Sequence, residues 1–356
     1  MSETTDKGED FESSLSQSDT AVAAFGHRPR GALGNLQHFL HGNPTMVPVI
    51  VLLLSVLVFG FVSDNFFSAF NLSLIMQQVA IVGILAAAQS LVILTAGIDL
   101  SVAAVMVMVS VIMGRLSTEF GLPVPLAILV GLVVGALTGL LNGVLVTRVR
   151  LPPFITTLGT WNIFLALNYY FSNRETIRSQ TLDAEAPLLK LFGERFTVGG
   201  AVLTWGVVLM IAIFLILWYV LNRTAWGRHV YAIGDDKEAA ELSGIRTDRT
   251  LVSVYVLSGF ICAIAAWASI GRVGSVSPTS FFEANLESIT AVVIGGISLF
   301  GGRGSILGPM IGALIVGVFN SGLRLGGVDV LWQVFATGWL IIIAVAIDQW
   351  IRKISA

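Results

Sequence analysis

The chain has 356 residues, of which 55% are hydrophobic and only 12% charged, and its formal net charge is −2. Soluble domains carry roughly 25% charged residues; less than half that fraction, with a mean hydropathy of +0.85, excludes an ordinary soluble fold and marks a polytopic membrane protein. The near-zero charge gives no basis for nucleic-acid binding, and the lone Cys262 excludes both a disulfide framework and a thiolate metal cluster.

Residues 1–45 read as a cytoplasmic tail, disordered or amphipathic, with no apolar core to form a cleavable signal peptide. Ten apolar stretches follow: 46–63, 74–95, 98–114, 125–147, 154–172, 199–222, 251–271, 286–300, 305–325 and 330–350. A spanning helix needs about 20 such residues. The eighth stretch is short, which fits a tilted, re-entrant or broken segment. Lys and Arg concentrate in alternate loops, among them Arg148, Arg150, Arg223, Arg228, Lys237, Arg246, Arg249 and Arg303. The positive-inside rule then places both termini in the cytoplasm. The expected fold is all-α: a polytopic membrane helix bundle of about ten transmembrane helices, with one transmembrane domain over 46–354.

One carboxylate interrupts the second and third stretches, in TAGIDLSV at 95–102. A charge at bilayer centre costs roughly 2.5–3.5 kcal/mol on insertion scales. Asp99 therefore serves either as a helix-breaking cap that accepts from free N–H groups or as a group facing a translocation path. The segment LPPFITTLGT, 151–160, opens a helix with Pro152 and Pro153 in its first turn. Amides and hydroxyls such as Gln89, Thr95, Asn142 and Thr157 sit within or beside the spans. They suit a path for a neutral, hydroxyl-rich solute, and they equally suit hydrogen bonding between helices.

The long loop at 222–250 contains DDKEAAELSGI. Acidic residues come early, helix formers follow, and Gly244 stands where a C-cap belongs, so Asp235–Ser243 is expected to form a short amphipathic helix. The alternative is a solvated connection. The Gly-rich run GGISLFGGRGSILG, 295–308, lacks the Lys of a phosphate-binding P-loop and fits a tight turn with close helix approach. No catalytic or metal-ligating constellation is present in the sequence, and no cofactor is expected. Three classes make different demands on such a chain: an intramembrane enzyme, an ion-coupled secondary transporter of small polar solutes, and a membrane subunit driven by a separate energy-transducing protein. The third needs only a docking loop, glycine-rich packing and a mildly polar path.

Four segments carry a family resemblance: LVILTAGIDLSVAAV, LNGVLVTRVRLPPFITTLGT, TAWGRHVYAIGDDKEAAELSGI and ITAVVIGGISLFGGRGSILG. In this order and spacing they resemble the permeases of bacterial ATP-binding-cassette monosaccharide importers, of the ribose, xylose, arabinose and fructose type. NRTAWGRHVYAIGDD, GRVGSVSPTS and AIDQWIRKISA look most like fructose-type members. The resemblance implies an inner-membrane homodimer, two ATP-binding subunits and a periplasmic sugar-binding protein. It also implies that the loop 223–250 is the coupling loop. Glu238, Ala239, Ala240 and Gly244 match the E-A-A-x-x-x-G coupling motif, although its later I-x-L-P continuation is missing. Gln89, Thr95, Asp99, Asn142 and Thr157 are the candidates for the translocation path.

Overall fold

A computed structural model describes residues 46–198, 201–281 and 283–352; the tail expected at 1–45 lies outside the described residues. Every one of the ten apolar stretches contains a helix. In chain order these are α1 (Met46–Val62), α2 (Ala69–Leu94), α3 (Val102–Thr118), α4 (Val124–Thr147) and α5 (Pro153–Ser172), then α7 (Trp205–Arg223), α10 (Thr247–Val273), α11 (Ala284–Ile294), α12 (Gly308–Leu325) and α13 (Val330–Arg352). Five of them, α2, α4, α7, α10 and α12, are long and apolar enough to cross a membrane; α1, α3, α11 and part of α13 are shorter apolar helices.

Burial separates the centre of the bundle from its rim. The most apolar window of α2 is 89% buried, against 33% for that of α4. A helix that is apolar all round belongs inside, and α2 forms the axis that α10, α11, α12 and α7 surround. The other face of α4 presents Leu129, Val133 and Leu137 outward. Those side chains suit contact with acyl chains. The ends of α2 are fixed by polar groups. Ser68 accepts from Asn71 N–H at 3.2 Å, Asn71 Nδ2 donates to Phe66 O at 2.8 Å, and Ser321 Oγ ties α12 to Asn71 Oδ1 at 2.7 Å.

The two longest connections are not plain loops. The segment at 173–204 carries α6 (Ser179–Glu185), a 3₁₀ turn (Pro187–Gly193) and an antiparallel hairpin of β1 (Arg195–Val198) and β2 (Ala201–Thr204). The hairpin docks on α2 through Val202 N–H to Ser73 Oγ at 2.9 Å. At the other end of the bundle lie α8 (Ala225–Asp235) and α9 (Lys237–Leu242). The expectation of one short helix in a loop is corrected here. Trp226, Val230 and Ile233 fall on one helical face, so α8 is itself amphipathic, with Val230 and Ile233 buried.

Close glycine packing joins α4 to α10. A Cβ on Gly139 would overlap the Tyr255 carbonyl, and one on Gly259 would overlap the carbonyl of Gly135. Small residues let backbones approach where lipid supplies no hydrophobic drive. Gly139→Leu and Gly259→Leu should each lower the melting midpoint of the purified protein, at a cost of at least about 1–3 kcal/mol from overpacking. Gly159→Ala, where a Cβ meets nothing within 4 Å, should leave it unchanged. Fluorescence-detected size exclusion after heating distinguishes these outcomes.

Candidate functional site

Two segments enter the bundle without being helical, and they meet. The first follows α2. Gly302 N–H caps the Leu94 carbonyl at 3.0 Å at the α8–α9 end. From there residues 95–101 turn back into the bundle, and α3 starts inside it. With the amide of Gln89 oriented to satisfy both groups, its nitrogen donates to Asp99 O at 2.9 Å and its oxygen accepts from Asp99 N–H at 3.2 Å. Gln89 lies five residues before the end of α2, which places Asp99 about 7–8 Å inside that end.

The second segment enters from the hairpin end. Val276 pairs with Ile177, Asn168 Nδ2 holds the Pro278 carbonyl at 2.8 Å, and α11 begins at Ala284. At 11 residues, α11 is about 16 Å long, half of what a roughly 30 Å hydrocarbon core needs. The eighth stretch is therefore a half-helix, and its predicted end at 300 is corrected to Ile294. The residues beyond form the glycine-rich turn.

Asn285 joins the two segments. Its Oδ1 accepts from Ala103 N–H at 2.8 Å and its Nδ2 donates to Leu100 O at 2.6 Å. The starts of α3 and α11 thus face one another. α3 runs toward the hairpin end, where Arg115 donates to Ser172 O and pairs with Glu119; α11 runs toward the α8–α9 end. Paired discontinuous helices of this kind mark the substrate region in transporter folds.

Four of the five expected path residues come together here. Asp99, 4% exposed, accepts from Ser101 N–H at 2.7 Å and from Ser101 Oγ at 2.6 Å. Asn142 Nδ2 donates to that Ser101 oxygen at 2.9 Å. Thr157 Oγ1 accepts from Leu100 N–H at 3.1 Å and lies 2.9 Å from the Pro153 carbonyl and 3.1 Å from that of Ile98. Together with Gln89, these groups satisfy the non-helical backbone of 98–103. Thr95 stands apart. Its hydroxyl donates to Val92 O at 2.8 Å, and its side of the chain borders a cavity at the α8–α9 end.

That cavity has a volume of about 1100 Å³ and is lined by Thr95, Gly97, Arg148, Arg150, Arg246 and Arg249, among others. None of the four arginines has an ion pair among the described residues, whereas Lys237 lies 3.7 Å from Asp248 and Arg303 lies 3.9 Å from Asp235. Its rim includes α9. Asp236 caps α9 by accepting from Ala239 N–H at 3.0 Å. At its end Gly244 has φ +83°, and Ile245 N–H returns to Ala240 O at 3.1 Å, the bond of a Schellman cap. Ala240 is buried against Ile233 and Leu251, while Glu238 and Ala239 are exposed and Leu242 is 90% exposed. Tyr231 on α8 donates to Gly304 O at 2.9 Å, tying α8 to the glycine-rich turn; burial pushes its hydroxyl above the usual phenol range and keeps it a donor.

Asn285 was not singled out from the sequence. Its signal is an amide at the start of the one short apolar stretch. The network gives a direct test of Asp99. Asp99→Asn keeps an acceptor for both Ser101 groups and should melt within a few degrees of the wild type. Asp99→Ala strands a buried N–H, at about 1–3 kcal/mol, and should melt clearly lower. Equal melting of Asp99→Ala and wild type would show that the network does not hold the loop.

Residues 71–345 match the family described as "Branched-chain amino acid transport system / permease component". The chain is 60% identical over 349 residues to the fructose import permease protein FrcC of Rhizobium meliloti, covering 98% of this chain and 97% of that one. It is 38% identical to the ribose import permease protein RbsC of Bacillus subtilis, over 90% of this chain and 96% of that protein, and 32% identical to the D-allose transport system permease protein AlsC of Escherichia coli, over 85% and 91%. No solved structure matches. A family match over most of the chain, with relatives aligned almost end to end, makes this polytopic helical membrane protein a member of the branched-chain amino acid transport system / permease component family.

Proposed function

We propose that the chain is the membrane subunit of an ATP-driven monosaccharide importer of the bacterial inner membrane, and that it serves fructose or a closely similar sugar. The observation that carries this is the 60% identity to a fructose import permease over nearly the full length of both chains. The chain is a transporter subunit rather than an enzyme. ATP is hydrolysed on separate subunits, a periplasmic protein delivers the sugar, and two copies of this chain enclose the path. The ion-coupled secondary transporter weighed from the sequence has no comparable support.

In this reading residues 46–354 form the permease domain, with ten membrane segments, of which α11 is a half-span. The α8–α9 end is cytoplasmic, as are both termini. Support comes from the cations gathered there, Arg148, Arg150, Arg228, Lys237, Arg246, Arg249 and Arg303. The helix α9 is the coupling helix. It is capped at both ends and anchored by Ala240, and it holds out Glu238, Ala239 and the nearly bare Leu242. An apolar side chain so exposed on a short polar helix fits a partner surface better than water. The adjoining cavity is lined by Arg148, Arg150, Lys237, Arg246 and Arg249 against Asp235, Glu241 and Asp248, so its positive excess suits acidic groups on the ATP-binding subunit.

Glu238→Arg and Gly244→Val test the coupling assignment in the reconstituted importer. A β-branched residue at φ +83° distorts the cap. Both variants should stay folded in the membrane, lose binding of the ATP-binding subunit and import sugar roughly tenfold more slowly or worse. Unchanged uptake with unchanged subunit binding would remove α9 from the coupling role.

A further inference from the structure

The junction of α3 and α11 holds a second feature, which the loop network does not use. A small cavity lies between α3, α5 and the segment leading into α11, bordered by Ala103, Trp161, Asn168, Ser280, Phe281 and Asn285. Asn168 is 1% exposed and its Nδ2 is spent on Pro278 O, but its Oδ1 has no partner among the described residues. A buried acceptor left unpaired costs about 1–3 kcal/mol and calls for a reason. Phe281 has φ +59°. A bulky side chain in the left-handed region costs of the order of 1–3 kcal/mol, and such strain clusters at ligand sites and switches. Two destabilising features thus border one gap, where a packed core would need neither.

The chemistry of the gap is specific. Trp161 and Phe281 supply aromatic faces, which suit the apolar C–H face of a pyranose or furanose ring. Asn168 Oδ1 and the Ser280 hydroxyl match sugar hydroxyls, whereas both side-chain atoms of Asn285 are held by Ala103 and Leu100. Among the described residues no charged side chain borders it, so an ion or a phosphorylated sugar is a poor fit. The free volume is about 20 Å³, enough for one water molecule and too small for a sugar ring.

The geometry points to this cavity as the closed form of a transient monosaccharide site, in which Trp161 and Phe281 contact the ring and Asn168 Oδ1 takes up a sugar hydroxyl when α5 and residues 278–281 part. This rests on the sugar-permease reading and extends it to named residues. It also moves the sugar contact away from Gln89, Asp99 and Thr157, whose hydrogen bonds are spent on the chain's own backbone.

The test uses the complete importer in proteoliposomes, reading initial fructose uptake and ATP hydrolysis stimulated by the binding protein. Trp161→Phe keeps an aromatic face and should import near the wild-type rate. Trp161→Leu keeps an apolar side chain without the ring, and should import at least roughly tenfold more slowly while stimulated ATP hydrolysis is retained. Ser280→Cys gives an independent readout, because the native Cys262 is buried. A maleimide should label it during turnover, and fructose should slow that labelling where sucrose does not. Wild-type uptake by Trp161→Leu, or labelling of Ser280→Cys indifferent to fructose, overturns the site. If Trp161→Leu also loses ATP stimulation, the labelling result decides. Failure of the wild-type importer to move any of fructose, ribose or allose would instead overturn the sugar-permease reading.

Discussion

Inside a bilayer every backbone N–H and C=O must find a partner in the protein, and this fold breaks its helices at two places where that is hardest. Residues 95–101 and 276–281 carry non-helical backbone into the bundle. The rest of the centre is arranged around satisfying them. Gln89 reaches from α2, Asn142 from α4, Thr157 from α5 and Asn285 from α11. Four separate helices thereby converge on one short loop. Asp99 belongs to this set. Its carboxylate meets an N–H and a hydroxyl of Ser101 within the loop, so the question raised by a charge among apolar residues has a local answer.

The broken helices place the two ends of the molecule in communication. α11 leads into the glycine-rich turn, where Gly301 lies against Ala96 and Gly234 with no room for a Cβ, and Gly302 N–H caps α2. Tyr231 ties the same turn to α8, and Asp236 caps α9 immediately after α8. A short covalent and hydrogen-bonded route therefore connects α9 to the start of α3. If α9 takes the coupling role proposed for it, this is the route by which a displacement there would reach the junction at Asn285.

Much of this was legible in the sequence, and for identifiable reasons. Long apolar runs locate helices without knowledge of their neighbours, and all ten stretches, the short eighth included, contain one. Gly244 was readable as a C-cap because capping is local chemistry, whereas the N-cap Asp236 lies inside the helix expected from Asp235. The shortness of the eighth stretch was visible, whereas its meaning was not, because a half-helix is defined by what its start touches. α8 was hidden by Gly227 and Gly234, which lower helix propensity yet are required here: a Cβ on either would overlap the backbone at Leu221 or Leu94. Four of the path candidates, Gln89, Asp99, Asn142 and Thr157, meet at the non-helical loop, and Thr95 does not. Sequence cannot distinguish an amide that faces a solute from one that satisfies a loop, since both need the same group. The difference lies in tertiary hydrogen bonds such as Asn285 to Leu100, separated by 185 positions.

Amide hydrogen exchange on the wild-type protein in lipid nanodiscs tests the central claim most directly. Leu100, Ser101 and Ala103 lie at or before the start of α3, outside its i→i−4 hydrogen-bond ladder, yet each donates to a buried side chain. Their amides should exchange as slowly as those in the middle of α2 and far more slowly than the exposed amide of Glu238 on α9. Exchange of these three amides at the rate of an exposed loop would contradict the account.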